Sequence, residues 1–206
     1  MAATQLSLAT PADWIHLDMS AEPLASARQF VDHLTQDEPE VDTRLKLQMA
    51  GALQSALRSS RDEGGILAAL WSRQVDNQSV GASVIAAAIP LEPAEISGED
   101  GNIDVAKAYL LIAAELAQNG DVEDEASVVL ETGTIQLPAG EAVRVRKSQT
   151  VETMGRQEQT EVVQYFVLVP DEPVLIVLTF STPTLELAEP LVELFDAMAG
   201  SLRWRS

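Results

Sequence analysis

The chain reads as one α+β domain, a twisted antiparallel β-sheet flanked by helices, and three observations predict this. Two strongly apolar runs, Val162 to Val169 and Val174 to Phe180, are joined by Pro170-Asp171-Glu172-Pro173. An amphipathic helical stripe comes after them. Upstream, strand and helix periods succeed one another in the order ββααββαβββββα, which suits an antiparallel sheet with helices rather than a parallel one. With 206 residues, one domain over 1–206 can bury a real core.

Leu6 to Leu17 is extended but interrupted at Ser7 and Thr10-Pro11, so it gives two short strands or a strand and a turn, with Trp14 and Leu17 as anchors. A helical segment spans 21–61. Its first helix runs from about Glu22 to Leu34, capped by Asp18 or Ser20, with Leu24, Ala27, Phe30, Val31 and Leu34 inward. Its second runs from about Val41 to Arg61, where Val41, Leu45, Met49, Leu53 and Leu57 recur every four residues and Ala52 and Ala56 widen the stripe. Asp62-Glu63-Gly64-Gly65 ends it. Ile66 to Val75 and Val80 to Ile89 form a hairpin whose second run, rich in small side chains, leaves room for close packing.

Residues 90–102 form an acidic loop marked by Pro and Gly, long enough to be mobile. Asp104 to Gln118 is a third helix, stopped at Asn119-Gly120. Strands resume at Ser127 to Leu137, and Pro138-Ala139-Gly140 turns the chain. Ala142 to Ser148 alternates, with Val143 and Val145 on one side and Arg144 and Arg146 on the other, as a half-exposed strand does. Thr150 to Thr160 reads as a polar loop containing Gly155.

The apolar hairpin closes the sheet. Neither run alternates, which places both strands centrally, with both faces covered. The last helix starts near Thr184, and Leu187, Leu191, Leu194, Phe195, Met198 and Leu202 form one stripe. Pro190 must lie in its first turn or kink it. Gly200 is a plausible stop.

Composition bounds function. Thirteen Lys and Arg oppose 32 Asp and Glu, a net charge of −19. Nucleic acids and anionic membrane surfaces call for clustered cations, so neither is expected as a partner. A protein partner with a basic face fits better. Cysteine is absent, which removes disulfides and thiolate chemistry. No apolar run reaches the roughly 18 to 20 residues of a membrane span. The first residues lack the basic and apolar regions of a secretory signal, so a cytoplasmic location is expected.

No catalytic, cofactor or metal residues are expected. The two histidines, His16 and His33, are far apart in sequence, and neither HExxH nor GxSxG occurs. Gly98-Glu99-Asp100-Gly101 and Gly64-Gly65 match no phosphate loop. Asp121, Glu123, Asp124 and Glu125 lack EF-hand spacing and read as a solvated acidic loop. The local feature of most interest is Arg144 and Arg146, two cations on one strand face in an acidic chain. They pair either with carboxylates of the same chain or with a bound acidic partner or anionic ligand.

The tail carries a resemblance. Tyr165 to Pro183 reads YFVLVPDEPVLIVLTFSTP, Phe195 to Trp204 reads FDAMAGSLRW, and upstream lies LPAGEAVRVRKS; Pro11-Ala12-Asp13-Trp14 adds an early P-x-x-W. This resembles the PsbP-like superfamily, which includes DcrB-type proteins and an actinobacterial set of small proteins, over Leu137 to Trp204. The resemblance implies a PsbP-like α/β/α sandwich and a non-enzymatic binding or adaptor role, such as an accessory factor or chaperone of a bacterial secretion or injection apparatus. It implies no shared catalytic motif and no cofactor. The competing readings are a structural homodimer, joined by a sheet edge or an apolar helix face, and a carboxylate-dependent enzyme.

Overall fold

The computed structural model describes residues 5–36, 41–75, 78–92, 96, 127–153, 156–169 and 172–205. The helix expected over 104–118, the acid cluster at 121–125 and most of the 90–102 loop lie outside the described residues. Those described form an α+β fold. Strands β1 (Gln5–Ser7) and β2 (Ile15–Leu17) precede helices α1 (Pro23–Leu34) and α2 (Thr43–Asp62). Strands β3 (Gly65–Val75), β4 (Gln78–Pro90), β5 (Ser127–Leu137), β6 (Gly140–Thr153), β7 (Arg156–Leu168) and β8 (Val174–Thr182) come next, then a 3-10 turn at Leu185–Leu187, helix α3 (Ala188–Ala199) and strand β9 (Arg203–Arg205). Four long strands, not five, stand between residue 127 and the last helix, and a short strand comes after it.

Seven strands make one antiparallel sheet in the order β2-β3-β4-β8-β7-β6-β5. The β7–β8 hairpin therefore sits in the middle, as its strongly apolar runs, broken only by Gln164 and Thr179, require. The faces divide by parity. Val163, Tyr165 and Val167 of β7 join Ile176, Leu178 and Phe180 of β8 in a core with Leu191, Phe195 and Met198 of α3. On the opposite face, Ala68 of β3 and Leu17 of β2 pack with Ala27, Phe30 and Val31 of α1 and with Ala50 and Leu57 of α2. The small side chains of β4 serve the α3 face, where Val84 and Ala86 are wholly buried in the same core as Phe180 and Phe195. Trp14 and Leu17 are buried as expected.

Local chemistry sets the helix ends. The Glu22 carboxylate accepts from the Ala25 N–H at 3.0 Å and caps α1. Asp18 instead closes the preceding turn, accepting from the Ser20 N–H at 2.8 Å and the Ala21 N–H at 3.1 Å. Asp42 caps α2. Gly64, after its end, has φ of 87°, and a Cβ there would lie 2.6 Å from the Ala88 carbonyl oxygen, so only glycine makes this turn. Pro190 falls in the first turn of α3, where its missing N–H does no harm.

Three further expectations need correction. Residues 150–160 are not a loop. β6 and β7 run on as a hairpin, with Thr150 opposite Gln159 and Thr153 opposite Arg156. Their polar composition reflects exposure rather than a turn, for Gln157, Glu158 and Gln159 are all exposed. The strand at 142–148 is not half-exposed: the arginine side faces α3, not open water. Along α2 the expected stripe holds in part: Met49, Leu53 and Leu57 face the α1 side of the core, with Ala50 and Ser60 buried beside them, but Leu45 is 42% exposed. The apolar repeat of four drifts off the inner line of a 3.6-residue helix.

Candidate functional site

Among the described residues, an arginine cluster under α3 and a cleft at one end of the sheet concentrate polar groups and open volume.

Arg144 stands opposite Tyr165 and Arg146 opposite Val163, which puts both guanidiniums on the α3 face. Arg144 forks onto Asp196 of α3, Nε to Oδ1 at 2.8 Å and Nη2 to Oδ2 at 3.3 Å, and Nη1 reaches Glu131 of β5 at 2.9 Å. The Tyr165 hydroxyl donates to the same Asp196 Oδ1. Arg146 forks onto Glu189 of α3 at 2.7 and 3.2 Å and donates through Nε to Glu161 of β7. In-chain carboxylates thus occupy both forks. An outside anion would have to displace one of them.

The spacing explains the match. Arg144 and Arg146 are two strand residues apart, about 7 Å. Glu189 and Asp196 are two helical turns apart, about 10 Å. Long arginine stems cover the difference. Charge is locked in place as a result. Burial opposes the Arg144 charge, but hydrogen bonds to Asp196, Tyr165 and Glu131 outweigh it and raise its pKa. Hydrogen bonds to Glu189 and then Glu161 raise that of Arg146. Burial, with Asp196 second, pushes the Tyr165 hydroxyl well above its ordinary range, so it remains a donor.

The Arg146 hydrogen bonds hold Glu189 below its ordinary value of 4.5. A depressed carboxylate stabilises the fold above its unfolded pKa and loses that contribution as pH falls through the folded value. Glu189 is 77% exposed, so the effect is small. We expect Glu189→Gln to lower the urea midpoint slightly at neutral pH and to match the parent only once pH has dropped below the lowered folded value of Glu189. A difference that persists in acid would assign the effect to packing.

The cleft, of about 830 Å³, opens where β3 ends, β4 begins and β8 runs out. Phe30 and Leu34 of α1, Met49 of α2, Leu70 and Trp71 of β3, and Pro183 form its apolar walls. Ser72, Ser79, Ser83 and Ser181 supply hydroxyls, and Glu158 and Glu186 stand exposed at the margin. Among its described lining residues there is no Lys, Arg or His. The Trp71 indole N–H donates to Asp13 at 2.7 Å, which fixes the ring. Ser83 and Ser181 share a hydrogen bond of 2.6 Å across β4 and β8.

The histidines stay apart from both features. His16 Nε2 lies 2.8 Å from the Thr10 hydroxyl, and His33 is exposed on α1. Among the described residues no group of three His, Asp or Glu is placed to hold a metal ion. No helix among them is long and apolar enough to cross a membrane. The arginines were singled out by sequence. Their carboxylate partners and the cleft were not, although acids off the stripe of α3 at two-turn spacing were the available signal.

No family model and no curated protein matches this chain. Solved structures do. The chain is similar to LpqN of Mycobacterium tuberculosis, a protein involved in cell envelope biogenesis, over 99% of its own length and 85% of the other, at 12% identity and a TM-score of 0.49. It is similar to BH2602 of Bacillus halodurans, solved with CoA, over 77% of this chain and 89% of that one, at 11% identity and a TM-score of 0.21. The TT0310 protein of Thermus thermophilus aligns over 61% of this chain and 95% of its own, at 13% identity and a TM-score of 0.20. Likenesses this distant carry no functional weight.

Proposed function

We propose that this is a non-enzymatic binding protein that takes a basic, apolar-studded segment of a partner protein in the cleft at the β3–β4 end of the sheet. The observation that carries this is the lining: apolar walls, several serines, an acidic margin and no cation among the described lining residues. Apolar walls supply affinity through buried area. The margin, set in a chain of net charge −19, attracts cations and speeds their arrival. Catalysis would ask for converging ionisable groups held away from water, whereas Glu158 and Glu186 are exposed. The resemblance of the tail to PsbP-like proteins supports the same reading. An accessory or chaperone role in bacterial secretion is its most concrete form.

The test uses two designed amphipathic peptides of equal apolar content, one built on Lys and Leu, the other on Glu and Leu. Binding is followed by NMR through the Trp71 indole N–H. The Lys peptide should shift that resonance, the Glu peptide should not, and added salt should weaken the effect. Glu158→Lys with Glu186→Lys should cut the affinity about tenfold, or about 1.4 kcal/mol. Equal binding of both peptides, or shifts confined to residues away from the cleft, would count against this site.

A further inference from the structure

β5 is an open edge. It bonds to β6 alone, and among the described residues no strand lies along its other side. Proteins blunt such edges with short strands, Lys, Pro or bulges. β5 has 11 residues, and neither Lys nor Pro is among them. Its one charged residue, Glu131, is matched within the chain by Arg144 at 2.9 Å. Val128, Val129 and Leu130 stand 59%, 59% and 53% exposed. Among the described residues, what blunts it is an irregularity between Val129 and Glu131.

We propose that β5 pairs antiparallel with β5 of a second copy across a two-fold axis at Thr132, joining two sheets into one. Charge and register argue for a second copy. At −19 each, two chains repel over most approaches, and β5 is a nearly neutral strip where they can meet. Centred on Thr132, the whole strand overlaps its copy. Val129 then lies opposite Ile135, Leu130 opposite Thr134 and Glu131 opposite Gly133, so no two carboxylates face each other. Free backbone groups gain partners, and the exposed apolar run is covered. The extra residue at Leu130 removes one rung from each half. This pairing is independent of the cleft, which lies on β3, β4 and β8.

The chain has no cysteine, so an introduced one reports position without background. Thr132→Cys sits on the axis, where opposed Cα atoms are about 4.5–5.5 Å apart, within disulfide reach. Ser127→Cys sits at the strand end, about 30 Å from its copy at the strand rise per residue. Mild oxidation should give a disulfide-linked dimer with Thr132→Cys and leave Ser127→Cys monomeric. For the parent protein, the mass by light scattering should climb with concentration from 22.2 kDa towards about twice that. It should climb further at higher salt, because screening relieves repulsion. Val128→Lys with Leu130→Lys should keep the parent circular dichroism and Tm and remain at 22.2 kDa. A constant monomer mass at every concentration and salt, equal crosslinking of the two cysteine variants, or a dimer untouched by the double lysine variant would each overturn the proposal.

Discussion

Arg146→Ala is expected to destabilise the fold by about 3–5 kcal/mol, read as a fall in the urea midpoint at constant slope. The loss comes less from the attraction it removes than from the charge it leaves. The Glu161 side chain is 6% exposed and takes its hydrogen bond from Arg146. Without that partner a carboxylate stays out of water, unpaired. The exposed arm to Glu189 contributes little by comparison. A paired exchange checks the cause. Arg146→Met with Glu161→Leu removes both charges and should recover most of the lost stability. If the double variant is as unstable as the single one, the stranded charge is not the reason.

Phe195→Ala is expected to cost about 3–5 kcal/mol as well, through a cavity rather than a charge. Phe195 is wholly buried and stacks on Phe180 with ring centroids 5.0 Å apart and planes 20° from parallel. Phe180 in turn meets the edge of Tyr165 at 5.7 Å and 89°. The three rings tie α3 to β8 and β7, so truncating the helix's share of that contact loosens it from the sheet. Thermal unfolding with near-ultraviolet circular dichroism should show a lower Tm and a weakened aromatic signal. Leu47→Ala is the contrast. Leu47 is 57% exposed on α2, and its loss should stay within about 0.5 kcal/mol. Comparable losses from both would mean that the rings are not the core they form here. Natural domains hold about 5–15 kcal/mol in total, so either large loss is a substantial fraction of the whole.

Much of this architecture was legible because its signals are local. Val162 to Val169 and Val174 to Phe180 are apolar on both faces, and only a central hairpin can bury both. The stripe of Leu191, Phe195 and Met198 on α3 and the tolerated Pro190 follow from helix geometry alone, whereas Leu187, expected on the same stripe, sits in the 3-10 turn and is 38% exposed, and Leu202 lies past the helix end. The polar stretch from 150 to 160 was misread because exposed strand and exposed loop share a composition. Register between β6 and β7, which no short window contains, decides between them. The exposure of Leu45 at the start of α2 was hidden for a related reason: where that helix meets the core is set by α1 and β3. Arg144 and Arg146 stood out as charges needing partners, but those partners arrive from β5, β7 and α3. The cleft was the least legible feature of all. Its walls come from separate helices, strands and a turn, and no contiguous segment carries its outline.

One small pairing bears on how the molecule is made. β1 lies against β9, with Leu6 opposite Trp204, and the Ser7 hydroxyl reaches the Arg203 carbonyl 196 residues along the chain. During synthesis β1 emerges early and must wait, unpaired, for β9 to leave the ribosome. The delay costs little at equilibrium, since loop closure grows only logarithmically with length, about 0.6 kcal/mol per doubling. Its effect falls on timing. Of the strand pairings described, this one joins the residues farthest apart in sequence, so it is expected to form after the β3–β4, β5–β6 and β7–β8 hairpins, whose strands are neighbours along the chain.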